Sequence, residues 1–285
     1  MQMSKLAITG IGGRFLLDGT IEIGDLTAMI TYAVQILNSL LMLSMLSVTI
    51  LVSRASVQRI NEVLNTTPDI ISPVSDLEVA DGSVVFENVN FSYKKDKDNY
   101  VLDNINLDIA PGETVGIIGG TGEGKSTLVQ LIPRLYDADS GMIKVGGKDI
   151  RQYSLKNLRD SVAMVLQKNV LFSGTIKENL LWGNPDATDE EIFEACQNAQ
   201  ADHFIRSFPN GYETELGQGG VNVSGGQKQR LCIARALVKK PKILILDDST
   251  SAVDTATDIK IREAFKSNLK GVTKIIISQR VASVS

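Results

Sequence analysis

The stretch GIIGGTGEGKST, residues 116–127, decides the fold of this chain. Its residues Gly119, Gly124, Lys125 and Ser126 fit the spacing G-x-x-x-x-G-K-[ST] of a phosphate-binding loop. An apolar strand is predicted to enter the loop, and a helix beginning KSTLVQLI is predicted to leave it. This context predicts an α/β domain that binds the phosphates of a nucleotide.

The residue types of the loop suit phosphate chemistry. Glycines allow backbone N–H groups to approach phosphate oxygens without a Cβ in the way. Lys125 is placed to reach the β- and γ-phosphates, and the Ser126 hydroxyl is placed to ligate Mg²⁺. The alternative is a glycine-rich turn before a helix, and the flanking elements argue against it. The predicted binding residues are Gly119, Gly120, Thr121, Gly122, Glu123, Gly124, Lys125, Ser126 and Thr127.

A second stretch, KILILDDSTSAVD at residues 242–254, runs from four apolar residues into two adjacent acids. The pattern predicts a buried strand that presents carboxylates at its C-terminal end. Asp247 is predicted to bind Mg²⁺ directly or to support its ligands, because Mg²⁺ prefers hard oxygen donors. The pattern alone leaves open whether Asp248 activates a water molecule.

Composition limits the classes of protein to which the chain can belong. Hydrophobic residues make up 43% of the 285 residues, so a large core is expected and disorder is not. The net charge of −4 favours no nucleic-acid partner. Cys196 and Cys232 match no ligand spacing, which predicts free, buried thiols.

Short apolar runs alternate with helical stretches after residue 83. The runs TVGIIG, VAMVL, KILIL and TKIIIS are apolar on both faces, which is typical of parallel strands covered by helices. The sequence KVGGKDI predicts a turn in an antiparallel segment. We therefore expect a mostly parallel α/β sheet with an additional antiparallel part.

Residues 26–52 contain no charged side chain. A helix of this length covers about 40 Å, more than the roughly 30 Å core of a bilayer. Acidic residues precede it, whereas Arg54 and Arg59 follow it, so its C-terminal end is predicted to be cytoplasmic. The alternative is a buried core helix of a soluble protein.

These segments predict three regions. Residues 1–53 are expected to be the C-terminal end of a transmembrane domain, with a helix tail at 6–17 and a full helix at about 26–52. Residues 54–82 are expected to form a connecting helix and linker. Residues 83–285 are expected to form the nucleotide-binding domain.

Further motifs carry a resemblance to a known family. VSGGQKQRLCIARAL at residues 223–237, VLQKNVLFSGTIKENL at 165–180, FSY at 91–93 and SAVD at 251–254 are all present. Together with the phosphate loop they resemble the ABC transporters, and within them the exporters whose membrane and nucleotide-binding domains share a chain. The resemblance covers nearly the whole chain, which looks like an internal fragment of a half-transporter, truncated at the C-terminus of its ATP-binding domain.

The resemblance implies ATP and Mg²⁺ as cofactors and a head-to-tail pair of nucleotide domains. Tyr93 would stack on adenine, Gln167 would serve the metal and the attacking water, and Asp254 would lie at the dimer interface. The implied partners are a second half-transporter, a lipid membrane and a transported small molecule, lipid or peptide. The signature residues would contact the partner's ATP; they are Val223, where the family usually has leucine, Ser224, Gly225, Gly226 and Gln227.

Two departures from the family pattern fall on the catalytic residues. Asp248 stands where the family has the glutamate that acts as general base, and Gln279 stands where it has a histidine. We therefore expect this site to bind ATP but to hydrolyse it slowly, beside a partner that carries the glutamate and the histidine. Two alternatives are a homodimeric exporter with both sites active and a P-loop ATPase without a transport function.

Overall fold

A computed structural model describes residues 2–96, 98–248 and 253–278. The chain divides into two units, residues 1–69 and 70–285. Gln279, predicted to replace the catalytic histidine, lies outside the described residues.

The first unit consists of two helices, α1 at Gln2–Leu17 and α2 at Ile23–Asn65. No described residue of α2 is buried, which argues against the core-helix alternative for this part of the chain. By length and composition α2 is long and apolar enough to cross a membrane. The helix continues beyond the uncharged stretch and includes Arg54 and Arg59, so no new element begins at residue 54.

The second unit contains the remaining elements. Its strands are β1 Val84–Phe91, β2 Leu102–Ile109, β3 Thr114–Ile118, β4 Ser140–Val145, β5 Lys148–Asp149, β6 Val162–Val165, β7 Gly174–Thr175, β8 Glu215–Leu216, β9 Ile243–Asp247 and β10 Thr273–Ser278. Its helices are α3 Lys125–Leu131, α4 Leu155–Ser161, α5 Ile176–Leu181, α6 Asp189–Asn198, α7 Asp202–Ser207, α8 Gly225–Val238 and α9 Thr255–Asn268.

The four apolar runs form one parallel sheet in the order β3-β10-β9-β6, as predicted. Ile277 of β10 is paired with Ile117 on one side and with Asp247 on the other. The C-terminal ends of the strands therefore lie along one edge of the sheet, where ligands of open α/β sheets bind. This edge carries the phosphate loop after β3, Gln167 after β6 and the two acids at the end of β9.

A second, antiparallel sheet has the order β2-β1-β4-β5, and β7 and β8 form a small antiparallel pair. The predicted KVGGKDI turn is confirmed, because β4 and β5 pair antiparallel around Gly146 and Gly147. Residues 70–82 pack on this unit: Val79 is buried, and Lys242 Nζ donates to the carbonyl oxygens of Val79 and Ala80. The predicted domain boundaries at 53 and 82 stay predictions.

Candidate functional site

A cavity of about 380 Å³ lies at the C-terminal edge of the parallel sheet. Most of the residues predicted to bind the nucleotide of this chain line this cavity. The lining residues are Tyr93, Val101, Thr121, Gly122, Gly124, Lys125, Ser126, Thr127, Gln167, Asp247, Asp248 and Ile277. Sheet topology explains the convergence, because parallel strands end at the same edge.

The phosphate loop is held by its own side chains. Gly122 and Gly124 have φ of 86° and 82°, a region that favours glycine, so the motif's spacing is also a backbone requirement. Lys125 Nζ donates to the carbonyl oxygen of Gly119 at 2.8 Å and also to that of Gly120. The Gly120 N–H donates to Glu123 Oε2 at 2.7 Å. Gly119, Gly120 and Glu123 thus shape the loop without lining the cavity.

The two adjacent acids have different surroundings. Asp247 is the last residue of β9 and is only 7% exposed. Asp248 is partly buried and has a φ of 47°, a left-handed conformation that aspartate tolerates better than most residues. Its N–H donates to Ile277 O at 3.1 Å, and its Oδ2 accepts from Gln167 Nε2 at 3.3 Å. The backbone of Asp248 is therefore fixed to β10, and its carboxylate faces the exposed Gln167.

Tyr93 lies at the mouth of the cavity and is 52% exposed. Its hydroxyl lies 3.0 Å from Thr127 Oγ1, and its ring packs edge-on against Tyr136 at a centroid distance of 5.2 Å. Val101 also lines the cavity, and sequence analysis did not identify it. Its position after a loop, immediately before β2, gave no chemical signal, because an apolar side chain carries no motif.

The signature segment forms a separate feature at the start of α8. The Ser224 side chain accepts from the Gln227 N–H at 3.2 Å, and the Ser224 N–H donates to Gln227 Oε1 at 2.9 Å. This reciprocal pair is a capping box. Val223 is buried, whereas Ser224 and Gly225 are exposed. None of the described signature residues lines the cavity of the phosphate loop.

Asp254 caps α9 by accepting from the Thr257 N–H at 2.9 Å. That backbone hydrogen bond lowers the pKa of the exposed carboxyl, so the side chain stays ionised. His203 lies exposed on α7, outside the cavity. Both cysteines are free and buried, as predicted, and burial raises the pKa of the Cys196 thiol to about 12.

Comparison with known proteins agrees with this geometry. Residues 102–251 match the family model described as ABC transporter. A Bacillus subtilis protein, YgaD, named as a candidate multidrug export ATP-binding/permease protein, is 41% identical over 99% of this chain and 49% of its own length. ABC transporter B family member 4 of Dictyostelium discoideum is 40% identical over 98% of this chain and 37% of its own length.

A solved structure of a bacterial Atm1-family ABC exporter with ATP bound superposes with a TM-score of 0.80 at 35% identity. The superposed region covers 93% of this chain and 46% of the exporter chain. The chain thus spans about half the length of the bacterial relatives that it matches. The family match covers more than half of the chain and includes its phosphate loop and β9, and on this ground the chain belongs to the ABC transporter family.

Proposed function

We propose that the chain is the ATP-binding subunit of an ABC exporter, which couples ATP binding and hydrolysis to the export of an unidentified substrate across a membrane. The observation that carries the proposal is the convergence of Lys125, Ser126, Gln167 and Asp247 on one cavity. The long apolar helix in the same chain supports a membrane location, with the ATP-binding domain in the cytoplasm. The names of the relatives favour export over an ATPase without a transport function.

The cavity offers the oxygen donors that Mg²⁺ prefers. Ser126 supplies a hydroxyl, Gln167 an amide oxygen and Asp247 a carboxylate. No group of three or more His, Cys, Asp or Glu residues forms a metal site within the described residues. This donor set fits a metal that shares its coordination with nucleotide phosphates. When bound, the ion neutralises phosphate charge.

Asp248 supports a site that binds ATP but turns it over slowly. Its side chain is one methylene shorter than glutamate, which withdraws the carboxylate by about 1.5 Å. The bond from its N–H to Ile277 O ties its backbone to β10 and opposes a shift that would compensate. A general base must lie within about 2.6–3.2 Å of the proton that it accepts, and losing one costs about 10²–10⁴-fold in rate. Gln279, expected at the histidine position, would donate a hydrogen bond without carrying charge.

The second site would be formed with a partner. The exposed Ser224 and Gly225 are available to a ligand outside this chain. We infer a head-to-tail heterodimer in which Ser224, Gly225, Gly226 and Gln227 contact the ATP bound by the partner's phosphate loop. Asp254 would lie at the same interface. Turnover would then take place where the partner supplies the glutamate and the histidine.

A pair of variants in the reconstituted complex of the full-length chain and its partner tests this asymmetry. Asp248→Asn should leave most of the ATPase activity, because the aspartate is not a working base. Gly226→Asp should remove most of the activity by placing bulk and negative charge against the partner's ATP. Asp247→Asn, the same change one residue earlier, is the control and should weaken Mg-ATP binding. If Asp248→Asn stops turnover, the aspartate is a working base and the proposal of a slow site in this chain is wrong.

A further inference from the structure

Glu123 places a negative charge inside the phosphate loop. Its Oε2 accepts a hydrogen bond from the Gly120 N–H at 2.7 Å. A Cβ added at Gly119 would overlap this oxygen, and one added at Gly120 would lie 3.0 Å from Oε1. The carboxylate therefore lies directly against the two glycines that begin the loop.

The cation of the loop also has partners within the chain. Lys125 Nζ donates to the carbonyl oxygens of Gly119 and Gly120 rather than pointing into open space. One N–H and the lysine of the loop are thus satisfied by the protein itself. A phosphate that uses these donors must replace the contacts of Glu123 and Lys125.

We propose that the Glu123 carboxylate competes with nucleotide phosphate for the loop and thereby makes ATP affinity depend strongly on Mg²⁺. The inference rests on the proposed function, that the cavity binds ATP. Glu123 is exposed, so its side chain is free to rotate into solvent when phosphate binds. Its charge still lies near the phosphates after it moves, and like charges repel. The repulsion is largest for metal-free ATP, because Mg²⁺ neutralises part of the phosphate charge.

The test is an equilibrium titration of ATP on the chain in detergent, with and without Mg²⁺. Glu123→Gln keeps the size of the side chain and removes its charge. Glu123→Ser removes the charge and also shortens the side chain, so that it no longer contacts the Gly120 N–H. Both variants should bind Mg-ATP about fivefold to tenfold more tightly than the native chain does. Their gain in affinity for metal-free ATP should be larger still. Glu190→Gln, an exposed acid on α6 that does not line the cavity, is the control and should bind as the native chain does.

Adenosine and Lys125→Ala separate this inference from the proposed function. Adenosine carries no phosphate, so its affinity should not change in either Glu123 variant. The competition is refuted if both Glu123 variants bind ATP with the affinity of the native chain, with and without Mg²⁺. The ATP site still stands in that case, provided that the native chain binds ATP and Lys125→Ala does not. If the native chain binds no ATP, or Lys125→Ala binds it unchanged, the ATP site itself is refuted.

Discussion

The phosphate loop has its glycines before α3, whereas the signature segment has Gly225 and Gly226 in the first turn of α8, and the two regions have different surroundings. The loop contributes to a cavity formed at the ends of four strands, β3, β6, β9 and β10, together with Tyr93 and Val101, so its ligand site is built largely within one chain. The signature segment closes a capping box on itself and leaves Ser224 and Gly225 exposed. One sheet edge thus assembles the first site within the chain, whereas the proposed role of the signature depends on ATP held by a partner.

The two regions also differ in what fixes their backbones. The loop is fixed by β3 and by the contacts of Lys125 and Glu123 with its own glycines. The signature is fixed by one cap, in which a serine and a glutamine exchange hydrogen bonds. We therefore expect substitutions in the loop to change ligand affinity first, and substitutions at the signature to change stability and the function of the complex.

Lys125→Ala should give the largest effect, a loss of ATP affinity of about 100-fold or more. The variant removes the charged donor that is predicted to bind two phosphates, and each charge-assisted hydrogen bond contributes about 1.5–3 kcal/mol. Lys228→Ala, a lysine near the start of α8, is the matched control. Titration of ATP on the chain alone measures both. A similar loss of ATP affinity in both variants would show that the phosphate loop is no more important for ATP binding than the signature segment.

Ser224→Ala should cost about 1 kcal/mol of folding free energy, because it removes the cap of α8. Chemical denaturation measures this, and ATP affinity of the chain alone should not change. Thr175→Ala removes the cap of α5, which is also a capping box, and should cost a similar amount. Only Ser224→Ala should also lower ATPase activity in the complex. Equal ATPase activities in the two variants would remove the support for a role of Ser224 in the partner's site.

Sequence patterns predicted the parallel sheet and the convergence of its loops. Apolar runs on both faces require a covered parallel sheet, and parallel strands end at one edge. The strand pattern therefore predicted Asp247 at this edge, whereas Gln167 was expected there from the family resemblance. The burial of Cys196 and Cys232 followed equally from composition and spacing.

Side-chain pairing at that edge could not be predicted in the same way. The bond from Gln167 to Asp248 joins residues 81 apart in sequence and depends on rotamers that no pattern encodes. The left-handed φ of Asp248 accompanies a bond from its N–H to Ile277 O, a contact between strands that are distant in the sequence. The contact of Glu123 with Gly120 is local, but the motif leaves the residue type at that position open, so Glu123 was predicted as a binding residue without this contact.

The smallest expected effect concerns Tyr93, which borders the loop without belonging to it. Tyr93→Ala should weaken ATP binding by the order of 1 kcal/mol, because it removes a stacking surface for adenine. Tyr93→Phe keeps the ring and loses only the hydroxyl contact with Thr127, so affinity should stay within about twofold. Tyr136→Phe, which deletes a hydroxyl from the neighbouring ring, is the control. If Tyr93→Phe weakened binding as much as Tyr93→Ala, the hydroxyl and its contact with α3 would matter, and stacking would not explain the role of this residue.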